Sequence, residues 1–147
     1  MQLVPTQASA LKINDYMCIN NRPCKIIDRK ESKTGKHGGK KLHYFVVDIF
    51  TDQKYEFLEM STKNINAPQV SKNEYQLVDI KNDVVSYFND KNEIQHDLFL
   101  PDLCEDDAKL CQEIKNKFDI DQEQYIIVIS AMDIRAIKGF RINANTK

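Results

Sequence analysis

Two segments of the first half, "PCKIIDRK" (23–30) and "KLHYFVVDIF" (41–50), are rich in β-branched and aromatic residues. Leu42, Tyr44 and Val46 fall on alternate positions, the period of a half-buried strand. The two segments read as a hairpin pair, joined through the polar stretch "ESKTGKHGGKK" (31–41). Upstream, "MCINNRPCKII" suggests an earlier strand with a turn over Asn20 to Pro23. Downstream, Thr51-Asp52 is a weak turn signal, and "KYEFLEM" follows as another short strand. The first 60-odd residues therefore predict a small all-β barrel of about five strands, closed upon itself so that no long edge is exposed.

The second half reads as three strands, "YQLVDI", "VVSYF" and "EIQHDLFL", separated by the turns "KND" and "NDKN". A helix is expected from about Asp102 to Phe118. Asp102 is the expected N-cap, with Glu105 three residues on as in a capping box, and Asp106 and Asp107 add charge at the helix start. Leu110, Cys111, Ile114 and Phe118 form one apolar stripe, and Lys115 and Lys117 sit near the far end. "YIIVIS" and "MDIRAIKGFRI" supply two more strands. Three strands, a helix and two strands is the order of an OB-fold barrel. Between the halves, "STKNINAPQVSKNE" (61–74) is a polar, Pro-containing break. It sets the expected domains at 1–68 and 69–147.

The charge balance follows the same division. The net charge is −1 overall, yet residues 1–68 carry 11 Lys/Arg against 7 Asp/Glu, and residues 69–147 carry 10 against 15. Between Arg22 and Lys41, eight basic residues face only Asp28 and Glu31. The basic part is the one suited to phosphate. The acidic second half has no obvious run of exposed aromatics, which makes it a poor generic single-strand binder. Hydrophobic content of 41% and charged content of 29% are those of an ordinary globular chain. No apolar run approaches the roughly 20 residues that cross a membrane, and "MQLVPTQASALK" does not read as a secretory signal. A cytoplasmic location and no membrane partner are expected. Cys18, Cys24, Cys104 and Cys111 include no C-x-x-C pair and no His partner at zinc-like spacing. Free thiols, mostly small and buried, are expected, with no metal site.

The chemistry concentrates in the stretch between the paired strands. Three of the four glycines (Gly35, Gly38, Gly39) lie there among Lys33, Lys36, Lys40 and Lys41. It is not a P-loop, because Gly35 to Gly39 is one residue short, Lys41 stands where a Ser or Thr would hold magnesium, and a strand follows. Nor does it suit a nucleophilic lysine, since a hairpin tip leaves the amine near its ordinary pKa of about 10.4. No catalytic residues are assigned. A plain hairpin needs one glycine at positive φ. Three glycines with four lysines instead suit a slim basic finger whose backbone can approach another surface closely.

"SKTGKHG" resembles the modification motif of the hypusine-containing translation factors, the eukaryotic translation initiation factor 5A family and its archaeal relatives. "SALKINDYMCINNRPCKII", "DIFTDQKYEFLEMSTKNINAP", "YQLVDI", "DLFLP" and "SAM" lie in family order, so the resemblance runs from about Pro5 to about Lys138. It implies an SH3-like N-terminal barrel followed by an OB-fold. It also implies that Lys36 becomes hypusine by transfer of an aminobutyl group from spermidine, through deoxyhypusine synthase and then deoxyhypusine hydroxylase. Lys33, Thr34, Gly35, His37 and Gly38 would be read by those enzymes or by the ribosome. The implied partners are the large-subunit ribosomal RNA and peptidyl-tRNA, and the implied role is to promote peptide-bond formation at stalled sequences such as proline runs, and termination. No bound cofactor is implied beyond the covalent hypusine. Phosphate contacts are assigned to Arg29, Lys30, Lys33, Lys40 and Lys41.

Two positions depart from the family pattern. Gly39 and Lys40 stand where the family usually has His and Ala, which bears more on the hydroxylation than on the first transfer. The chain also begins closer to its first domain than longer family members do, so their acidic leader is expected to be absent. His43 and His96 read as packing or surface residues. The alternative function is an RNA-binding or structural module that works with unmodified Lys36.

Overall fold

In the computed structural model, residues 3–33 and 39–143 are described. The chain forms two compact units, Met1–Val70 and Ser71–Lys147. The fold is all-β with one α-helix.

The first unit contains β1 (Leu3–Gln7), a 3-10 turn (Ala8–Ala10), β2 (Tyr16–Ile19), β3 (Arg22–Lys33), β4 (Lys40–Asp48), β5 (Lys54–Met60) and β6 (Asn64–Pro68). Strands β2-β3-β4-β5 form an antiparallel meander, and β1 pairs with β6. Asn20 and Asn21 both take positive φ, at 52° and 60°, which is the two-residue hairpin geometry that asparagine tolerates best. Leu42, Tyr44 and Val46 are fully buried, as their alternation implied, and they pack with Met17, Cys24 and Ile26 in one core. Tyr55 and Phe57 cover its edge from β5.

A bulge at Ile27 changes the pattern of β3. Ile26 pairs with Val46, and Asp28 pairs with Phe45, so Ile27 is the extra residue and lies 44% exposed. Before the bulge, even-numbered β3 residues face the core. Beyond it, Asp28, Lys30 and Ser32 turn outward with Phe45, His43 and Lys41, while Arg29 and Glu31 turn inward with Tyr44 and Leu42. A plain two-residue reading of β3 cannot anticipate that reversal.

The polar stretch 61–74, inside which the two units divide, is mostly strand rather than an irregular break. It contributes β6, whose Ile65 is buried against the core, and the start of the next strand at Ser71. The strand was hidden because its polar residues occupy the exposed side of a two-stranded pair, and the partner strand Leu3–Gln7 is equally short.

The second unit contains β7 (Ser71–Lys81), β8 (Val84–Phe88), β9 (Ile94–Phe99), α1 (Glu105–Asp119), β10 (Gln124–Ala131) and β11 (Ile134–Ile142). The sheet order β11-β10-β7-β8-β9, with the helix between β9 and β10, is that of an OB-fold. Arg135 of β11 reaches Asp97 of β9 at 3.2 Å and the Tyr87 hydroxyl at 2.9 Å, linking the two ends of the sheet order. Ile114 from the helix is fully buried among Leu77, Val85, Ile126, Val128 and Ile137.

Three details differ from the sequence reading. The helix starts at Glu105 with Cys104 as N-cap, and no side chain caps it, so Asp102 is not the cap. Asp107 takes over instead. Its carboxylate accepts the Leu103 N–H at 2.8 Å and a hydrogen bond from the Lys138 ammonium at 3.1 Å, both charge-assisted. Second, Met132 and Asp133 are a two-residue turn with φ of 52° and 65°, so β11 begins at Ile134. Third, none of the four cysteines is in a disulfide, as expected, but only Cys24 is buried. Burial pushes its thiol up to about 11, and the nearby Asp48 charge adds to the shift.

Candidate functional site

The β3–β4 hairpin carries the chemistry-bearing stretch. Its last register pair is Lys33 with Lys40. Thr34, Gly35, Lys36, His37 and Gly38 lie outside the described residues, so the site is described by the stem that holds them.

The inner face of that stem is a set of contacts that fixes the hairpin to the first unit. The Tyr44 hydroxyl donates to the Ala8 carbonyl of the 3-10 turn. Arg29 Nη1 donates to the Leu11 carbonyl at 3.0 Å, and Arg29 Nη2 meets Glu31 at 2.8 Å. Glu31 in turn faces Lys40 at 3.6 Å across the ladder. Burial raises the Tyr44 phenol above its ordinary value, while the Arg29 charge opposes the rise. Tyr44 therefore stays a neutral donor. At the connection end of the stem, the Ser61 N–H donates to the Lys40 carbonyl at 2.9 Å and ties the turn after β5 to the hairpin.

A second anchor lies at the hairpin's base. Asp48 is 1% exposed and accepts from Arg22 Nε at 2.6 Å and from the backbone N–H groups of Phe50 at 2.8 Å and Thr51 at 3.2 Å. Burial alone would push its carboxyl up, but these donors prevail and hold it below the usual carboxylate range. The same ion pair raises Arg22.

The residues assigned to phosphate from the sequence divide between the two faces. Lys30 and Lys41 lie on the outer face, and Lys33 and Lys40 lie in the inward row, exposed beyond the end of the core. Arg29 stands apart, because its side chain is only 13% exposed and its guanidinium is occupied by protein carbonyls and Glu31. Gly39 does not occupy a positive-φ conformation, and among the described residues a Cβ there would meet Met60 Cε at an ordinary 3.5 Å. A side chain fits at that position.

Sequence reasoning passed over the outer face itself. There, His43 and Phe45 lie 4.3 Å apart between ring centroids, and the Lys30 ammonium sits 5.3 Å over the Phe45 ring. The signal was the alternation Lys41, His43, Phe45, complementary to the buried Leu42, Tyr44, Val46. His96, by contrast, pairs with Ser86 at 2.6 Å in the second unit.

Two family models cover most of the chain: "Translation initiation factor 5A-like, N-terminal" over residues 2–63, and "Eukaryotic elongation factor 5A hypusine, DNA-binding OB fold" over residues 69–141. The chain is 39% identical over 142 residues to eukaryotic translation initiation factor 5A-1 of Saccharomyces cerevisiae, covering 97% of this chain and 87% of that protein. The chain belongs to the eukaryotic translation initiation factor 5A family. Factor 5A-1 of Arabidopsis thaliana is 40% identical over 138 residues, covering 93% of this chain and 85% of that protein. Among solved structures, a family protein from Naegleria fowleri superposes with a TM-score of 0.91 at 39% identity, covering 96% of this chain and 99% of that one. The factor 5A of Methanococcus jannaschii has the same fold, with a TM-score of 0.67 at 22% identity over 96% of this chain and 92% of that one.

Family membership makes the chain a translation factor. Among the described residues, no group of three or more His, Cys, Asp or Glu side chains is placed to hold a metal ion. No helix among them is long and apolar enough to cross a membrane.

Proposed function

We propose that this chain acts in the cytoplasm as a ribosome-bound elongation factor whose hypusine, formed on Lys36, promotes peptide-bond formation at stalled sequences and supports termination. The observation that carries the reading is the "SKTGKHG" motif placed between two strands of a family-5A N-terminal unit. Deoxyhypusine synthase transfers an aminobutyl group from spermidine to the Lys36 side-chain nitrogen, and deoxyhypusine hydroxylase adds one hydroxyl. Thr34, Gly35, His37 and Gly38, with Lys33, present the lysine to those enzymes.

The product is a longer side chain with two amines in series. It brings a second positive charge and more donors further from the backbone than lysine can. Beside the acceptor end of peptidyl-tRNA, those donors order the substrate while ribosomal RNA carries out the bond exchange. The contribution is orientation of reacting groups rather than proton transfer by the protein. Lys30, Lys33, Lys40 and Lys41 hold phosphate at the stem and supply affinity without reading sequence. An anchored stem supports this reading. The Tyr44–Ala8 and Arg29–Leu11 bonds tie the described part of the hairpin to the 3-10 turn and the residue that follows it.

The alternative, an RNA-binding module that works with unmodified Lys36, is separated by a Lys36→Arg variant. Arginine keeps the positive charge but cannot accept the aminobutyl group. Folding should be unchanged, and translation of a polyproline reporter should fall to the level of cells lacking the factor. Full reporter activity with arginine at this position would leave only the binding module.

A further inference from the structure

We infer that the outer face of β3–β4–β5 is a stacking platform for an unpaired nucleobase, formed by His43 and Phe45 and flanked by Lys30 and Lys41. The inference deepens the reading of the first unit as an RNA-facing surface by naming where a single strand lies. It rests on the composition of one sheet face. Register places Lys41, His43 and Phe45 of β4 beside Ser32, Lys30 and Asp28 of β3 and beside Met60, Leu58 and Glu56 of β5.

Charge on this face is graded along the strands. Lys41 lies nearest the hairpin connection, Lys30 lies one row further at the level of His43, and the carboxylates Asp28 and Glu56 lie at the level of Phe45. The middle is apolar and aromatic, with the 4.3 Å His43–Phe45 pair next to Leu58, which is 52% exposed. Leu58 thus extends the half-buried ring pair with exposed apolar surface. A flat base edged by phosphate suits that arrangement. Its π-face lies on the rings and the leucine, and the cations meet the flanking backbone.

Lys30 already sits 5.3 Å from the Phe45 centroid. Its long, exposed stem lets the ammonium swing from ring to phosphate when a base arrives. The groups facing His43 are Glu56, at 3.8 Å from Nε2, and Lys30, its register partner. Stacking needs only the ring face, so either protonation state of His43 serves.

The test uses the full chain made in bacteria that lack the modifying enzymes, so its result does not depend on hypusine. Fluorescence polarisation is read with two labelled single-stranded RNA decamers, all-adenylate and all-uridylate. Adenylate should bind tighter, because the larger base stacks better. A His43→Thr/Phe45→Val double variant, which keeps strand-forming residues, should lose about 5- to 100-fold in adenylate affinity, the range of one stacked base. Its salt dependence should be unchanged, whereas Lys41→Gln should lower the log–log salt slope by about one phosphate contact. As an independent readout, the Leu58 and Met60 methyl signals of the unaltered chain should shift upfield on adding the adenylate decamer. The proposal is overturned by unchanged affinity in the double variant, by equal binding of both decamers, or by no binding. A chain that stacks adenylate but carries no hypusine in native cells would sink the Lys36 reading alone.

Discussion

Replacing Arg29 with methionine separates two roles for one basic residue. From charge alone, Arg29 belongs with the phosphate contacts. In the fold it donates to the Leu11 carbonyl at 3.0 Å, meets Glu31 at 2.8 Å and lies 5.9 Å from the Tyr44 ring centroid. Methionine preserves much of the apolar stem, so the loss falls on the polar contacts. A hydrogen bond from a charged donor to a half-buried carbonyl is worth roughly 1.5–3 kcal/mol. The Glu31 pair adds little, because its carboxylate is 46% exposed. Against this, Arg29 Nε is buried with no partner among the described residues, and removing it relieves part of the cost. The expected net loss is about 1–2 kcal/mol, which urea denaturation followed by a probe in the first unit would resolve. RNA affinity and its salt slope should remain unchanged at denaturant-free concentrations where the variant is folded. If stability stays the same and the salt slope falls by about one contact, Arg29 binds phosphate and the structural role assigned to it is wrong.

Two further perturbations address the anchor and the loop. The Asp48 carboxyl is held below its unfolded value, so the stability it contributes is complete above the unfolded carboxylate pKa of about 3.9 and is lost as pH falls through the lower folded value. Asp48→Asn should cost roughly 1.5–3 kcal/mol at neutral pH and flatten the acid limb of the first unit's stability curve. An acid limb as steep as before would place that dependence elsewhere. Because a Cβ fits at Gly39, a Gly39→His/Lys40→Ala double variant should change stability by less than about 0.5 kcal/mol. Co-expressed with both modifying enzymes, it should carry a higher hydroxylated fraction at Lys36 than the unaltered chain. An equal fraction would show that these two departures do not matter to the hydroxylase.

The parts of this molecule that could be read from its sequence are those governed by short-range periodicity. Leu42, Tyr44 and Val46 announced a core-facing strand, and Leu110, Cys111, Ile114 and Phe118 announced the helix stripe. The motif around Lys36 announced the family. What was hidden depends on distant partners. β1 and β6 are five-residue strands that pair with each other, each interrupted or ended by proline, so neither carries a strand signal alone. The bulge at Ile27 exchanges the two faces of β3 and thereby takes Arg29 inward and sends Lys30 outward. Arg29 and Lys30 looked equivalent until that reversal sorted them. Asp102 had the composition of a cap, but Asp107 had Lys138, from 31 residues away, to fix it.

The most direct test of the central claim is intact-protein and peptide mass spectrometry on material from the chain's native cells. Lys36 should be heavier by one amino-hydroxybutyl group. An aminobutyl group without the hydroxyl would locate the effect of Gly39 and Lys40 at the hydroxylase step, with the first transfer intact. An unmodified Lys36 in native material would contradict the proposal and leave a basic hairpin that meets RNA by charge and stacking alone.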